Sequence, residues 1–103
     1  MDKQDLNHTY EKIDINRLNY LKDQCDTSCD FIKSRLEEMS NFYNYLYSEI
    51  KNKIETNQIF DKNSSKAYSQ KIGYIEGKLM ESISTLDKSM LEMISHIKYL
   101  EEE

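Results

Sequence analysis

The fold is decided by residues 18–50, which read LNYLKDQCDTSCDFIKSRLEEMSNFYNYLYSEI. Apolar residues recur here in steps of three and four, the spacing of a helix face that packs along a second helix. A series held this long implies gentle winding around that helix. With Asp14 as its N-cap, we predict a first helix over about residues 14–56. The series consists of Leu18, Leu21, Cys25, Cys29, Ile32, Leu36, Met39, Tyr43, Leu46 and Ile50.

A second series with the same spacing predicts a second helix over about residues 64–102. Its members are Tyr68, Ile72, Ile75, Leu79, Ile83, Leu86, Met90, Met93, Ile97 and Leu100. The spacing fails over residues 57–63, so we place a turn there, with Asn63 or Ser64 capping helix two. Two helices of similar length then form an all-α antiparallel hairpin in which residue i faces about residue 120 − i. A single long helix that dimerises as a parallel coiled coil is the alternative, which the polar turn segment disfavours.

The composition suits this fold. The 103 residues include no proline and two glycines, 38% are apolar and 32% are charged. We predict one hairpin domain over residues 13–103, preceded by a flexible arm over residues 1–12. A net charge of −5 argues against nucleic-acid binding.

The sequence has neither a membrane-spanning apolar run nor the features of a signal peptide. We expect the protein to be made in the cytoplasm and, if it is secreted, to leave without a cleavable signal.

Cys25 and Cys29 lie four residues apart and share one helical face. We interpret them as reduced core residues, because a regular helix does not readily supply disulfide geometry at this spacing. A thiol-based sensor is a weaker alternative. His8 and His96 are the only histidines, so we predict no metal site.

Apolar residues outside the two series need a further explanation, because a two-helix hairpin shields only one stripe of each helix. We predict that they contact a partner and that a second hairpin completes a four-helix bundle. Exposed tyrosines that contact only their neighbours are the alternative. The interface candidates are Phe31, Phe42, Tyr45, Tyr47, Tyr74, Met80, Leu91 and Ile94, with Tyr20 as a further residue outside the series.

Gly73 and Gly77 are unusual inside a helix, where glycine costs roughly 1 kcal/mol relative to alanine. The predicted register places them opposite Tyr47 and Tyr43. They therefore provide a notch for a tyrosine ring of the same chain, or a notch for a partner helix. The two interpretations stay open at this point.

Enzymatic activity is not expected, because a hairpin supplies no concave pocket in which a catalytic group could be held. We therefore predict no catalytic residues and no cofactor.

The chain from residue 13 onward resembles the small Trp-x-Gly helical-hairpin proteins of type VII secretion systems, and the small helical partners of Leu-x-Gly toxins. Residues 13–18 are similar to the start of the family's first helix. Phe60 stands at the family's tryptophan position, Lys62 replaces its glycine, and Tyr68 stands at its later aromatic position, after the small residue Ala67.

The resemblance implies a non-enzymatic secretion substrate or targeting partner, working as a homodimer or heterodimer. Its partner would be a second copy or a related hairpin, such as the N-terminal helical domain of a toxin, and the pair would be delivered to a secretion ATPase. Tyr99 and Glu103 fit the family's Tyr-x-x-x-Asp/Glu export signal, although Tyr99 could instead cover the end of the apolar series. A cytoplasmic coiled-coil adaptor or regulator unrelated to secretion is the rival hypothesis.

Overall fold

The computed structural model of the protein describes residues 14–101, apart from the side chains of residues 98 and 99. Helix α1 spans Ile15–Glu55 and helix α2 spans Ser64–Glu101, and residues 14–101 contain no strand. The structure thus confirms the predicted all-α fold of two helices joined by one turn. The predicted arm, residues 1–12, and Glu103 lie outside the described residues.

Asp14 caps the start of α1, as predicted. The backbone N–H of Asn16 donates to Asp14 Oδ1 at 2.9 Å, and the N–H of Leu18 donates to the Asp14 carbonyl at 2.9 Å. Both N–H groups would otherwise lack a partner in the first turn of the helix.

Helix α1 ends in a Schellman motif centred on Asn57, whose φ is +56°. The N–H of Gln58 donates to the Lys53 carbonyl at 3.0 Å, and the N–H of Asn57 donates to the Ile54 carbonyl at 3.3 Å. These two bonds satisfy carbonyls that the helix leaves open and reverse the chain direction. Asparagine is one of the few residues that tolerates this left-handed backbone conformation.

Helix α2 starts at a turn organised by Asp61. Its side-chain Oδ1 accepts from the N–H of Asn63 at 3.1 Å, and its carbonyl accepts from the N–H of Ser64 at 2.9 Å. The Asn63 carbonyl then accepts from the N–H of Ala67 at 3.1 Å, which is the first helical bond of α2. The observed turn therefore lies within about one residue of the predicted one.

The chain divides into two compact units. The turn unit is Phe31–Glu81, and the terminal unit combines residues 14–30 with residues 82–101 of the described chain. Each contains a segment of α1 and a segment of α2.

In the turn unit the two helices run antiparallel, in a register different from the predicted one. Lys71 Nζ lies 3.2 Å from Glu38 Oε2, whereas residue 120 − i for Lys71 would be Glu49. Helix α1 therefore continues well past the level at which α2 begins. The connecting segment runs back along α1, because Lys53 Nζ contacts Gln58 Oε1 at 3.3 Å and lies 5.7 Å from the centre of the Phe60 ring.

The terminal unit shows the same displacement. Arg17 forms an ion pair with Glu92, although the predicted register placed the last residues of the chain opposite Arg17. Because α1 begins only two residues before Arg17 while α2 continues to Glu101, the end of α2 extends beyond the start of α1.

The helices are also rotated relative to the prediction. The line of contact keeps predicted positions such as Leu21 and Ile75, but at alternate positions it passes through the residue before the predicted one. Phe42 is therefore half-buried while Tyr43 is 65% exposed. Several predicted contact residues thus lie outside the contact, and Phe42 and several polar residues lie within it instead. The exposed ones are Leu36, Tyr43, Ile50, Ile83, Met90 and Ile97, and those in their places are Arg35, Phe42, Glu49, Ser82, Ser89 and His96.

The turn geometry predicts the response to substitution of Asn57. We expect Asn57→Val to be about 1 kcal/mol less stable than Asn57→Gly in urea unfolding, because valine is strained at positive φ and glycine is not. Gln58→Val, at a neighbouring residue without positive φ, is the control. Equal stability of the valine and glycine variants at position 57 would contradict this account of the turn.

The rotation of the contact line predicts opposite behaviour for two neighbouring aromatic residues. Phe42→Ala removes a ring that packs between the helices and should lower the free energy of unfolding by about 2–3 kcal/mol. Tyr43→Ala removes an exposed ring and should cost less than about 1 kcal/mol. Unfolding followed by circular dichroism at low protein concentration measures both losses. A larger loss for Tyr43→Ala than for Phe42→Ala would favour the contact line predicted from the sequence.

Candidate interaction surface

The described residues bury very little apolar surface. Leu21 and Ile75 are the only apolar side chains among residues 14–101 that are buried, whereas eighteen large apolar side chains are exposed. Scattered exposed apolar residues are normal, but a contiguous apolar surface marks an interaction site. Whether these side chains are scattered or contiguous on each unit therefore decides whether they mark an interaction site.

One face of the turn unit is closed by an ion-paired network. Glu38 accepts from Arg35 Nη1 at 2.8 Å and from Lys71 Nζ at 3.2 Å, so that one carboxylate joins both helices. The hydrogen bond from Arg35, followed by that from Lys71, lowers the pKa of Glu38 below its ordinary value. The charges of Arg35, Glu38 and Lys71 on this face are therefore paired within the chain.

Four aromatic rings cluster where the connecting segment meets the helices. The Tyr68 ring lies 6.0 Å from Phe42, 6.4 Å from Tyr45 and 6.2 Å from Phe60, with the last two contacts edge-to-face. The negative charge of Glu49, with Tyr68 as the next cause, raises the pKa of Tyr45. Phe60 and Tyr68, two residues of the predicted turn motif, are thus brought together.

Lys62, the third residue of that motif, lines an open cavity of about 380 Å³ beside these rings. The cavity is walled mainly by apolar atoms, and its other lining residues are Ile50, Phe60, Asp61, Ser64, Ser65 and Tyr68.

The opposite face of the turn unit is apolar and carries no ion pair within the described residues. We call it the apolar face of the turn unit. Helix α1 contributes a ridge of large side chains, between 41% and 72% exposed: Leu36, Tyr43, Tyr47, Ile50 and Ile54. Leu36 and Tyr43 each directly follow a contact residue. Glu38 comes three residues after the contact residue Arg35, which places it on the other side of the helix. The ridge and the ion-paired network therefore lie on opposite sides of the contact line.

Helix α2 contributes small residues to the same face. Ser69 and Gly73 directly follow the contact residues Tyr68 and Ile72, whereas Gly77 lies on the side of α2 that points away from α1. A Cβ atom added at Gly73 or Gly77 would meet nothing within 4 Å. The interpretation in which a tyrosine of the same chain packs against these glycines is therefore wrong, and the notch is open.

The terminal unit also has one ion-paired face. Arg17 Nε and Nη2 donate to the two Glu92 oxygens at 2.5 and 2.7 Å, and the Arg17 guanidinium lies 4.8 Å from the centre of the Tyr20 ring. The hydrogen bonds from Arg17 lower the pKa of Glu92. His96 Nε2 lies 3.9 Å from Glu92 Oε2, at the contact between the helices.

The other face of the terminal unit exposes apolar side chains that follow contact residues, as in the turn unit. Ile83 and Met90 directly follow Ser82 and Ser89. Ser89 is 7% exposed and Ser28 is 3% exposed, so the unit encloses serines while leaving larger apolar neighbours in solvent. The exposed residues of this face are Ile15, Ile83, Met90, Ile94 and Ile97.

The structure places most of the predicted interface residues at the surface. Phe42 is the exception, because it packs between the helices against Tyr68. The exposed ones are Phe31, Tyr45, Tyr47, Tyr74, Met80, Leu91 and Ile94. The sequence analysis did not identify six further surface residues: Leu36, Tyr43, Ile50, Ile83, Met90 and Ile97. The sequence feature that could have identified them is the width of the apolar stripe, which is three positions on each helix and more than one helix contact can cover.

Other predicted sites have simple outcomes. Cys25 and Cys29 are half-buried free thiols. Residues 14–101 contain no group of three potential metal ligands, and neither described helix has the length and hydropathy needed to span a membrane. Of the predicted export signal, the Tyr99 side chain and Glu103 lie outside the described part of the chain.

Comparisons with protein-family models, with curated proteins and with solved structures find no match for this chain.

The Glu38 network predicts a pH dependence of stability. Because its pKa is lower in the folded state than the ordinary value of about 4.3, Glu38 contributes stability above that pH, and the contribution is lost as pH falls through the lowered pKa. Glu38→Gln should therefore lose less stability than the wild type between about pH 6 and about pH 3.

Urea midpoints at the two pH values measure this difference. Glu37→Gln is the matched control, since Glu37 is exposed and has no ion pair within the described residues. A wild-type response to pH in the Glu38 variant would show that the network does not contribute.

Proposed function

We propose that this protein is a non-enzymatic binding protein that packs against a helical partner and takes part in type VII secretion, as a substrate or as the targeting partner of a larger effector. One observation carries the binding function. The hairpin encloses Ser28 and Ser89 while it leaves Ile83 and Met90 exposed.

This arrangement favours a partner on energetic grounds. Fully burying a side chain such as isoleucine or methionine stabilises a protein by about 1.5–3 kcal/mol. A lone hairpin would gain by turning these side chains inward, since each lies only one residue from the contact line. Helices with an apolar stripe three positions wide are typical of bundles, in which a second contact covers the third position.

The secretion function rests on the resemblance to the Trp-x-Gly hairpins. The contact between Phe60 and Tyr68 supports it, because these residues stand at the two aromatic positions of the family motif. The extension of α2 beyond the start of α1 is also compatible with a C-terminal signal, since the segment around Tyr99 then lies past the paired helices.

The mechanism would be helix addition. A second helical protein, either another copy or a related hairpin such as the N-terminal domain of a toxin, covers the apolar faces and completes a four-helix bundle. The C-terminal segment with Tyr99 and Glu103 then joins the partner's surface to form a signal for a secretion ATPase. No covalent chemistry is required of this chain.

A cytoplasmic adaptor or regulator is the second candidate function. Lys62 favours it, because a lysine replaces the glycine of the family's turn motif. An adaptor would bind helices through the same faces but would not depend on the C-terminal segment for export.

Export and binding can be tested separately. We expect the purified protein to form a stable complex in light-scattering mass analysis, alone or with the product of a neighbouring gene. In a strain with an active secretion system, Tyr99→Ala should abolish export of the protein or its effector without weakening that complex. Lys98→Ala is the matched control at the adjacent residue.

A monomer that ignores the neighbouring product would defeat the binding function. Normal export of the Tyr99 variant would remove the C-terminal signal and leave the adaptor as the better description.

A further inference from the structure

We propose that the turn unit binds a small aromatic carboxylate in the cavity between helix α1, the connecting segment and the first turn of α2. The cavity has a volume of about 380 Å³, within the range of about 300–1,000 Å³ that is typical of small-molecule sites. Such sites combine apolar walls with a few polar groups that orient the ligand. This cavity has both.

The cavity follows from the register of the two helices. Because Glu38 is level with Lys71, the first residue of α2, Ser64, is level with about residue 45 of α1. Helix α1 continues past this level, so Ile50 lies about 7 Å beyond the start of α2 at 1.5 Å per residue. The space between Ile50 and the first turn of α2 is then bounded by Phe60 of the returning connecting segment.

The apolar walls favour an aromatic ligand. The Phe60 and Tyr68 rings lie 6.2 Å apart and meet at 88°, so one can present a face and the other an edge to a third ring. Residues outside the cavity lining hold both walls. Lys53 Nζ lies 5.7 Å from the centre of the Phe60 ring, and Phe42 lies 6.0 Å from Tyr68. A ligand therefore gains contacts with little cost in ordering the walls.

The polar part of the lining favours an anionic group. Lys62 lines the cavity and forms no ion pair within residues 14–101. The carboxylate of the lining, Asp61, is already bonded within the turn, where its Oδ1 accepts from the N–H of Asn63 at 3.1 Å. Two serine hydroxyls of the lining supply further donors. A carboxylate beside Lys62 would therefore meet a positive charge that the described chain does not pair.

The local charge agrees with this choice of ligand. Residues 56–66, which form the connecting segment and the first turn of α2, carry two lysines and one aspartate. The whole chain has a net charge of −5. The cavity thus lies at a locally positive part of an acidic protein, which favours an anion over a cation or a neutral molecule.

The first test uses 3-phenylpropionate as the probe, in a titration of the full chain followed by amide chemical shifts. We expect saturable shifts at residues 50 and 60–68, with a dissociation constant of about 1 mM or below for a ligand of this size. The amide of the same acid lacks the charge, and 3-cyclohexylpropionate lacks the aromatic ring. Each should bind about threefold more weakly. Added salt should weaken binding of the carboxylates but not of the amide.

The second test locates the site with paired variants. Lys62→Gln should weaken phenylpropionate binding to the level of the amide and leave amide binding unchanged. Lys66→Gln removes a nearby lysine outside the cavity lining and should change neither. Ile50→Trp should fill the cavity and abolish binding, whereas Ile54→Trp, one turn further along α1 and outside this lining, should not. Urea midpoints check that both tryptophan variants are folded.

Several outcomes would overturn the inference: no saturable shift at millimolar phenylpropionate, equal affinity for the acid and either analogue, an unchanged affinity in Lys62→Gln, or normal binding by folded Ile50→Trp. Each of them would leave the proposed function standing, because binding of a helical partner does not require a ligand in this cavity.

Discussion

The structure depends on one geometric constraint: a contact between two helices covers only a narrow stripe of each, whereas both helices here carry an apolar stripe three positions wide. The contact line cannot include all three positions. It runs through Ser28 and Ser89, while larger apolar residues such as Ile83 and Met90 remain on one side. The shortage of interior and the excess of apolar surface are therefore two results of the same constraint.

Charge distinguishes the two sides of the contact. Glu38 with Lys71 in the turn unit, and Arg17 with Glu92 in the terminal unit, close one face of each unit with ion pairs. Exposed ion pairs add little stability by themselves. Their larger effect here is on specificity, because the charges of these ion pairs are already satisfied within the chain.

Sequence patterns predicted the elements of the fold better than their relative positions. Asp14 and the polar segment after Thr56 located the helix ends correctly, because capping is a local interaction of a few residues. The register was wrong because the connecting segment returns along α1 instead of turning tightly at its end. The rotation was wrong because Phe42 and Tyr43 are both suitable contact residues, so spacing alone cannot choose between them. The choice depends on the other helix, as does the open space at Gly73.

The two cross-helix ion pairs also differ in how much chain they enclose. Glu38 and Lys71 are 33 residues apart, whereas Arg17 and Glu92 are 75 residues apart. Closing the longer loop costs about 0.7 kcal/mol more in chain entropy, and far less if the shorter contact has already formed. Folding is therefore expected to start at the Asn57 turn, with helix pairing then extending from the turn toward the termini. Unfolding would begin at the opposite end, so the segment that holds the C-terminus can separate and re-form while the turn unit stays folded.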